Sequence, residues 1–340
     1  MHMADALLSP AVGGIMWAVS TGAIIYCSGK LRKEMDGGKV PLMGVLGAFI
    51  FAAQMINFTI PATGSSGHLG GALLLAVLLG PAAAFITIAS VLVVQALFFA
   101  DGGLLALGCN IFNLGFLPAF IAYPLIYKPL VGSAPGKARI TVVALVAAII
   151  GLQLGAFAVV VETVASGISA LPFATFLSLM QPIHLAIGVV EGLVTGAVVS
   201  FVYQARPEII KSVQENRLLG KTPVRNVLTA FLAMAMLIGG LVSWSASENP
   251  DGLEWAIAKV TGTEGLSGSE EGLHSRLAAL QESAAFMPEY TFKQSGQQPE
   301  NVTGAESPLG TSVAGIVGGL LTLAIAFLSG TLLRIRGRTV

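Results

Sequence analysis

The sequence predicts an all-α polytopic membrane protein, and three observations carry that prediction. Of the 340 residues, 54% are hydrophobic and only 11% are charged, with a mean hydropathy of +0.81. Soluble domains carry about 25% charged residues. Nine apolar segments approach the roughly 20 residues that a membrane-spanning helix needs. The basic residues are concentrated between particular segments instead of being spread along the chain. We therefore expect this chain to lie in a lipid bilayer.

The candidate spans are apolar runs bounded by charged or turn-forming residues. The third and fourth are short and meet at the break Gly80-Pro81, so we expect them to be tilted or buried against neighbours. The nine spans are predicted at about 9–29, 41–59, 69–82, 84–100, 109–127, 140–161, 182–203, 226–246 and 310–333.

Lysine and arginine predict the orientation, because positively charged loops stay on the cytoplasmic side. Nine spans with the N-terminus outside place fifteen of the eighteen basic residues in the cytoplasm. The other three lie in one long loop, and long loops are translocated regardless of charge. The sequence therefore predicts an N-out/C-in topology in a prokaryotic plasma membrane.

Two modules are predicted. Residues 1–204 form a seven-span bundle, 205–225 a polar cytoplasmic linker, and 226–340 a two-span hairpin with a long extracytoplasmic loop, 247–308. That loop has ten acidic and three basic residues. It is either a solvated acidic loop, or a docking surface or cation-attracting funnel.

Helical spacing of apolar residues predicts two short amphipathic helices within this loop. The residues concerned are Leu253, Ile257 and Val260 for the first, and Leu273, Leu277 and Leu280 for the second.

Several function classes are disfavoured. With 18 basic and 18 acidic residues the formal net charge is zero, which argues against a nucleic-acid partner. The two cysteines, Cys27 and Cys109, form no disulfide framework and are expected to be apolar filler. The run Gly220-Lys221-Thr222 resembles the end of a phosphate-binding loop, but Glu215 occupies the position of its first glycine. We therefore expect this chain to bind no nucleotide.

The first two residues predict a metal chelate. No basic segment precedes the first span, so we expect an uncleaved N-terminus, and the bulky His2 should preserve Met1 with its free amine. That amine, the His2 amide nitrogen and the His2 Nδ1 can bind one metal in two fused rings. They lie almost in one plane because the peptide is planar. A planar nitrogen set suits Ni(II) or Cu(II) better than Zn(II).

His68 is the candidate for the fourth donor. It lies in a glycine-rich stretch that the topology places on the same outer side as Met1. Thr63, Ser65 and Ser66 could support it by hydrogen bonding. An interfacial histidine beside a helix N-cap is the alternative, and the spacing alone does not decide between the two.

These residues lie in stretches that resemble the NikM/CbiM family, the nickel/cobalt substrate-binding (S) components of energy-coupling factor (ECF) transporters. The resemblance implies a metal held by the Met1 amine, the His2 amide and imidazole nitrogens, and His68. One departure is Ala6-Leu7, where the family usually has a glycine two residues after the aspartate. The similar stretches are 1–5 (MHMAD), 63–71 (TGSSGHLGG), 95–103 (QALFFADGG), 107–113 (LGCNIFN) and 184–192 (HLAIGVVEG).

Residues 249–255 (NPDGLEW) resemble a second family, the PDGLE-type auxiliary subunit NikN. That subunit accompanies nickel S components, so the fusion favours nickel over cobalt without excluding cobalt. The resemblance also implies partners: a transmembrane coupling protein of the NikQ/CbiQ type and a cytosolic ATPase pair of the NikO/CbiO type.

The seventh span carries His184 and Glu191 on one helix face, together with a seam of Gly188, Gly192 and Gly196 that predicts close helix packing. Glu191 is a candidate proton relay or an interhelical hydrogen-bond partner. Asp101, Asn110 and Asn113, near the outer ends of spans four and five, could surround the metal ligands.

Three functions compete. The first is the S component of an ATP-driven importer, and the second is an intramembrane metallopeptidase. The peptidase is disfavoured because no two histidines lie within five residues of each other. The third is a self-sufficient secondary carrier that uses Glu191 as a proton relay. Transport without any ATPase would distinguish the carrier from the S component.

Overall fold

The protein is a bundle of apolar helices, seen in a computed structural model that describes residues 2–35, 37–220, 222–263, 266, 272–293 and 308–338. The helices up to the predicted linker are α1 (Pro10–Glu34), α2 (Lys39–Gln54), α3 (Ala72–Leu79), α4 (Pro81–Phe98), α5 (Leu107–Ile111), which continues through a π-helical stretch (Phe112–Tyr127) into α6 (Lys128–Val131), α7 (Lys137–Ser166) and α8 (Phe173–Ala205). The later ones are α9 (Pro207–Gln214), α10 (Arg225–Gly240), α11 (Gly252–Thr261), α12 (Leu273–Ala284) and α13 (Pro308–Arg338).

Each of the nine predicted spans contains a helix, and six helical segments in the described residues are long and apolar enough to cross a membrane. The 16-residue α2 and α10 are shorter apolar helices. The 8-residue α3 reaches only about 12 Å, at about 1.5 Å per residue. The predicted helical membrane fold is confirmed in this coarser form. The count of nine spans and the N-out/C-in orientation stay predictions.

The second predicted span ends earlier than expected. Helix α2 ends at Gln54, and β1 (Phe58–Ile60) then pairs antiparallel with β2 (Ser65–Gly67). The turn between them uses positive φ at Ala62 and Gly64, at 62° and 74°. Hydropathy did not reveal this hairpin, because the apolar residues Phe58 and Ile60 look like a continuation of the preceding membrane-spanning helix. The hairpin leads directly to His68.

The predicted glycine seam of the seventh span is confirmed. A Cβ added at Gly188 or Gly196 on α8 would lie 2.8 Å from a Cα atom of α7, at Ile149 or Thr141 respectively. Gly192 approaches Leu145 of α7 still more closely. Helices α7 and α8 are therefore in close backbone contact, which fixes the height of Glu191 and His184 in the bundle.

Helices α10 and α13 of the predicted C-terminal module pack against each other and against the first module. Gly239 of α10 meets the backbone of Gly315 in α13, and Gly318 of α13 receives the Phe51 ring of α2. The predicted linker also holds a helix, α9, which buries Ile209, Ile210 and Val213.

Both predicted helices of the long loop exist, as α11 and α12. Leu253 and Ile257 of α11 are buried, whereas Leu273 and Leu280 of α12 are exposed. The loop therefore contains folded structure that lies against the bundle. The module boundaries themselves stay predictions.

The basic residues near the ends of several helices lie together at the end of the bundle opposite His68. Lys30, Lys33, Lys39 and Arg217 line one recess beside the break Gly80-Pro81. This clustering at one end is what the predicted orientation requires.

Candidate metal site

The first described residues run into the bundle instead of lying on its surface. The Met3 amide donates to Asn110 Oδ1 at 2.8 Å, and the Met3 carbonyl accepts from Gly103 N at 2.9 Å and Asn110 Nδ2 at 3.2 Å. Asp5 Oδ1 accepts from Ala106 N at 3.0 Å. The His2 side chain is only 7% exposed. Met1, a predicted ligand, lies outside the described residues.

The two predicted imidazoles lie together. The rings of His2 and His68 stack with their centroids 5.0 Å apart and their planes 25° from parallel. His68 Nδ1 lies 3.1 Å from the Leu69 carbonyl oxygen. Because a carbonyl can only accept, Nδ1 carries the proton and Nε2 keeps a lone pair. Burial lowers the pKa of His68 to about 3, so the imidazole is neutral at neutral pH. The geometry leaves His68 with one ring nitrogen in the state that binds metal.

Asp101 holds His2 in this structure. Its Oδ1 accepts from His2 Nδ1 at 2.8 Å, and its Oδ2 accepts from the hydroxyl of Tyr290. Burial by itself raises the pKa of the Asp101 carboxyl, but the charge and hydrogen bond of His2 and the hydrogen bond from Tyr290 hold it below its ordinary value. His2 Nε2 is buried and has no hydrogen-bond partner among the described residues.

Glu191 lies beneath the loop that carries His68. Its two carboxylate oxygens accept from Gly70 N at 2.8 Å and Gly71 N at 3.1 Å. The Gly70 carbonyl accepts in turn from Gln54 Nε2 at 2.9 Å, and Gln54 Oε1 accepts from Gln95 at 2.9 Å. The side chain is 3% exposed. Glu191 thus connects α8 to the loop that carries His68.

The three predicted hydroxyl groups belong to the hairpin itself. Thr63 Oγ1 donates to the Ile60 carbonyl at 2.8 Å and accepts from Ser65 N at 3.0 Å. Ser65 Oγ donates to the Ser66 carbonyl at 3.2 Å. Ser66 Oγ donates to the Asn249 carbonyl at 2.8 Å, so it points to the C-terminal module. Their contacts shape the turn and contain no bond to either imidazole among the described residues.

Two other predicted residues form hydrogen bonds to partners other than the paired imidazoles. Asn113 donates from Nδ2 to Glu162 Oε2 at 2.7 Å and lies 3.9 Å from the Met3 sulfur. His184 Nδ1 faces the Met180 carbonyl at 2.8 Å, and its Nε2 is buried without a hydrogen-bond partner in the part of the chain described. Asn113 supports the N-terminal segment, whereas His184 lies on α8 and packs beside Gly252 of α11.

Side chains alone do not form a complete metal-binding site in the part of the chain that the structure describes. Within the described residues, no group of three or more His, Cys, Asp or Glu side chains could hold a metal ion. The donor set predicted from the first two residues includes Met1, which lies outside the described residues, so that set stays a prediction.

Sequence reasoning missed four residues of this region: Glu162, Gln54, Gln95 and Tyr290. Glu162 and the glutamines are polar residues inside apolar helices, a pattern that could have singled them out. Tyr290 had no such signal, because it follows α12 in a polar stretch 189 positions from its partner Asp101.

Comparison with known proteins identifies the family to which this chain belongs. Residues 2–209 match the family model described as CbiM, cobalt uptake substrate-specific transmembrane region, and residues 225–335 match that of the PDGLE domain. A putative fused nickel transport protein NikMN of Archaeoglobus fulgidus is 30% identical and covers 96% of this chain and 97% of its own length. A putative cobalt transport protein CbiM 2 of Methanosarcina barkeri is 30% identical over 67% of this chain and 98% of its own length.

A solved structure is also similar. The crystal structure of a truncated transition metal transporter shares 32% identity and a TM-score of 0.54, over 60% of this chain and 99% of that one. The prediction of a transporter instead of an enzyme is confirmed. The chain belongs to the CbiM family of substrate-specific transmembrane proteins of metal uptake, fused to a C-terminal PDGLE domain.

Proposed function

We propose that this chain is the metal-capturing S component of an ATP-driven importer for nickel, or for cobalt, in the plasma membrane of a prokaryote. The observation that carries the proposal is the stacked pair of His2 and His68 at one end of the bundle. One of the two is the second residue of the chain, and both belong to a fold of the metal-uptake family.

The proposed ligands are the Met1 amine, the His2 amide nitrogen, His2 Nδ1 and an imidazole nitrogen of His68. Two observations support this set: the burial of the His2 side chain and the stacking of its ring on that of His68. Four nitrogens in a plane match the tetragonal preference of Ni(II). The fused nickel transport relative favours nickel as the transported metal.

In this structure His2 Nδ1 donates to Asp101, so the proposed chelate requires that bond to be exchanged for one to the metal. Half a turn of the imidazole about its Cβ–Cγ bond moves Nδ1 away from the carboxylate. Metal-bound histidines commonly donate their other ring nitrogen to a carboxylate, which fixes the ring. Asp101 is the proposed carboxylate for that role.

The energy for uptake is proposed to come from partners, a NikQ/CbiQ-like coupling protein and a NikO/CbiO-like ATPase pair. The sequence offers no complete phosphate-binding loop, since Glu215 replaces the leading glycine. The basic end of the bundle, opposite the histidines, faces the cytoplasm in the predicted topology and is where a coupling protein would contact this chain.

The proposal is tested on the purified protein and in vesicles. Metal analysis with an absorption spectrum should show one nickel per chain in a yellow, diamagnetic complex. Vesicles that contain only this chain should take up little nickel, and those that also contain the coupling protein and ATPases should take it up with ATP. Strong uptake driven by a proton gradient alone, abolished by Glu191→Gln, would overturn the S-component proposal and support the carrier.

A further inference from the structure

The C-terminal module touches the metal-site hairpin through its PDGLE motif. Ser66 N donates to the Pro250 carbonyl at 2.8 Å, and Ser66 Oγ donates to the Asn249 carbonyl at 2.8 Å. Ser66 and Asp251 form a parallel β-bridge. Since Ser66 is two residues from His68, this short backbone pairing fixes the strand from which His68 leaves the hairpin.

The motif is itself rigid. Asp251 caps α11 by accepting from Leu253 N at 2.8 Å and Glu254 N at 2.9 Å, while Glu254 accepts from Asp251 N at 3.0 Å. Such a reciprocal capping box fixes the first turn of a helix. Trp255, one residue further on, donates from Nε1 to the Thr63 carbonyl at 2.9 Å. The motif is therefore bonded to the hairpin both in its turn and in β2.

A second part of the module reaches the other imidazole. Tyr290 donates its hydroxyl to Asp101 Oδ2, and Asp101 Oδ1 accepts from His2. The Tyr290 ring stacks on Phe99 with the centroids 5.0 Å apart and the planes 19° from parallel. Glu289 N donates to the Phe99 carbonyl at 2.7 Å, which fixes the backbone beside Tyr290.

Helix α12 supports this second contact. Gln281 Nε2 donates to the carbonyls of Gly102 at 2.7 Å and Ala96 at 2.9 Å, on both sides of Asp101. His274 Nε2 donates to the Leu8 carbonyl at 2.9 Å. Every segment that builds the candidate site is thus bonded to the C-terminal module: the N-terminal residues, the hairpin and the loop that holds Asp101.

We infer that the C-terminal module positions the metal ligands, with Tyr290 as the positioning residue that orients His2 through Asp101. The inference rests on the proposed function and assigns the module a role in metal affinity beyond assembly. A hydrogen bond to each side of a carboxylate restricts its rotation. The carboxylate in turn restricts the imidazole, so less ordering is needed when metal binds.

The test compares Tyr290→Phe with wild type in nickel titrations of the full chain. Phenylalanine keeps the stacking on Phe99 and removes only the hydroxyl. Loss of such an outer partner should weaken nickel binding by about tenfold. The absorption band at saturating nickel should not change, because the donor atoms are the same. The matched control is Tyr26→Phe on α1, whose side chain is exposed and far from the site.

A double-mutant cycle separates positioning from general destabilisation. If Tyr290 acts through Asp101, Tyr290→Phe should have little further effect in an Asp101→Asn background, since coupled residues are not additive. Equal effects in both backgrounds, wild-type affinity of Tyr290→Phe, or an altered absorption band would each overturn the inference. Those results would leave the S-component proposal intact, whereas a wild-type chain that binds no nickel would overturn the proposed function itself.

Discussion

The two segments that carry the histidines are held in different ways. The N-terminal segment is held at Met3 by the Asn110 side chain and the Gly103 backbone, and at His2 by the Asp101 side chain. The hairpin before His68 is held by its own strand pairing and by the backbone at Pro250, and the backbone just after His68 is held by the buried Glu191. The first segment depends on a few side chains near a chain end, and the second on a backbone framework with a carboxylate beneath it.

This difference suggests separate roles for the two histidines. His2 is the second residue of the chain, so its segment can offer backbone nitrogens to a metal as well as an imidazole nitrogen. His68 lies on a loop held by backbone bonds and, in the proposed donor set, would contribute a ring nitrogen only. The four predictions below test this division, from the largest expected effect to the smallest.

Moving His2 from the second to the third position should have the largest effect. A Leu inserted between Met1 and His2 preserves Met1 and breaks the chelate, so nickel affinity should fall by about a hundredfold or more. An inserted Ala instead allows Met1 to be trimmed, which returns the histidine to position two and should restore binding. Mass spectrometry identifies the N-terminus of each variant. Unchanged stoichiometry and colour in the Leu variant would exclude the N-terminal chelate.

Removing each imidazole should give unequal effects. His2→Leu removes the donor that closes the second chelate ring and, unlike His2→Ala, preserves Met1, whereas His68→Ala leaves both fused chelate rings intact. Nickel titrations should therefore show a greater loss for His2→Leu, and the spectrum of His68→Ala should still show a planar nitrogen complex. A greater loss for His68→Ala would reverse the roles assigned to the two segments.

Replacing Glu191, whose carboxylate accepts from the backbone just after His68, should have a smaller effect. Glu191→Gln puts an amide NH₂ against one of the two backbone N–H groups of Gly70 and Gly71, which leaves a buried donor unpaired at a cost of about 1–3 kcal/mol. Unfolding stability and nickel affinity should both fall. Glu162→Gln is the matched control, because Glu162 is similarly buried but accepts from the Asn113 side-chain amide, which can rotate. Equal losses of nickel affinity in the two variants would show that Glu191 affects nickel binding no more than another buried glutamate does.

The smallest expected effect is on the number of protons released when metal binds. The amine and the His2 amide must each lose a proton on binding, so about two protons are expected from them per metal at pH 7. His68 should release none, because burial lowers its pKa to about 3 and it is already neutral. Affinity should thus fall with falling pH through the N-terminal donors, with no contribution from His68 above about pH 5.

Calorimetry in buffers of different ionisation enthalpy counts these protons. His68→Ala should lower affinity and leave the proton count unchanged. A count near one or below in the wild type would mean that the amine and the amide are not both deprotonated, which would contradict the proposed donor set. A lower count in His68→Ala would show that His68 is protonated before metal binds.

The sequence alone determined the parts of this protein that depend on local chemistry. Apolar runs located the helices, glycine spacing located the face of α8 that packs closely on a neighbour, and the helical spacing of Leu253 and Ile257 located α11. The candidate chelate depends only on which residue is second in the chain. Each of these follows from neighbouring residues, so no distant contact was needed to see it.

Only the tertiary structure decided which distant groups meet. Glu191 lies 121 positions from Gly70, and Tyr290 lies 189 positions from Asp101, and no local pattern links either pair. A buried carboxylate needs donors, but the sequence does not say which backbone amides provide them. The hairpin before His68 was missed for the same reason, since its strands are three residues each and depend on Asn249 and Pro250 across the chain. Packing therefore decided how the two histidine segments are held, while local chemistry indicated which groups are candidate ligands.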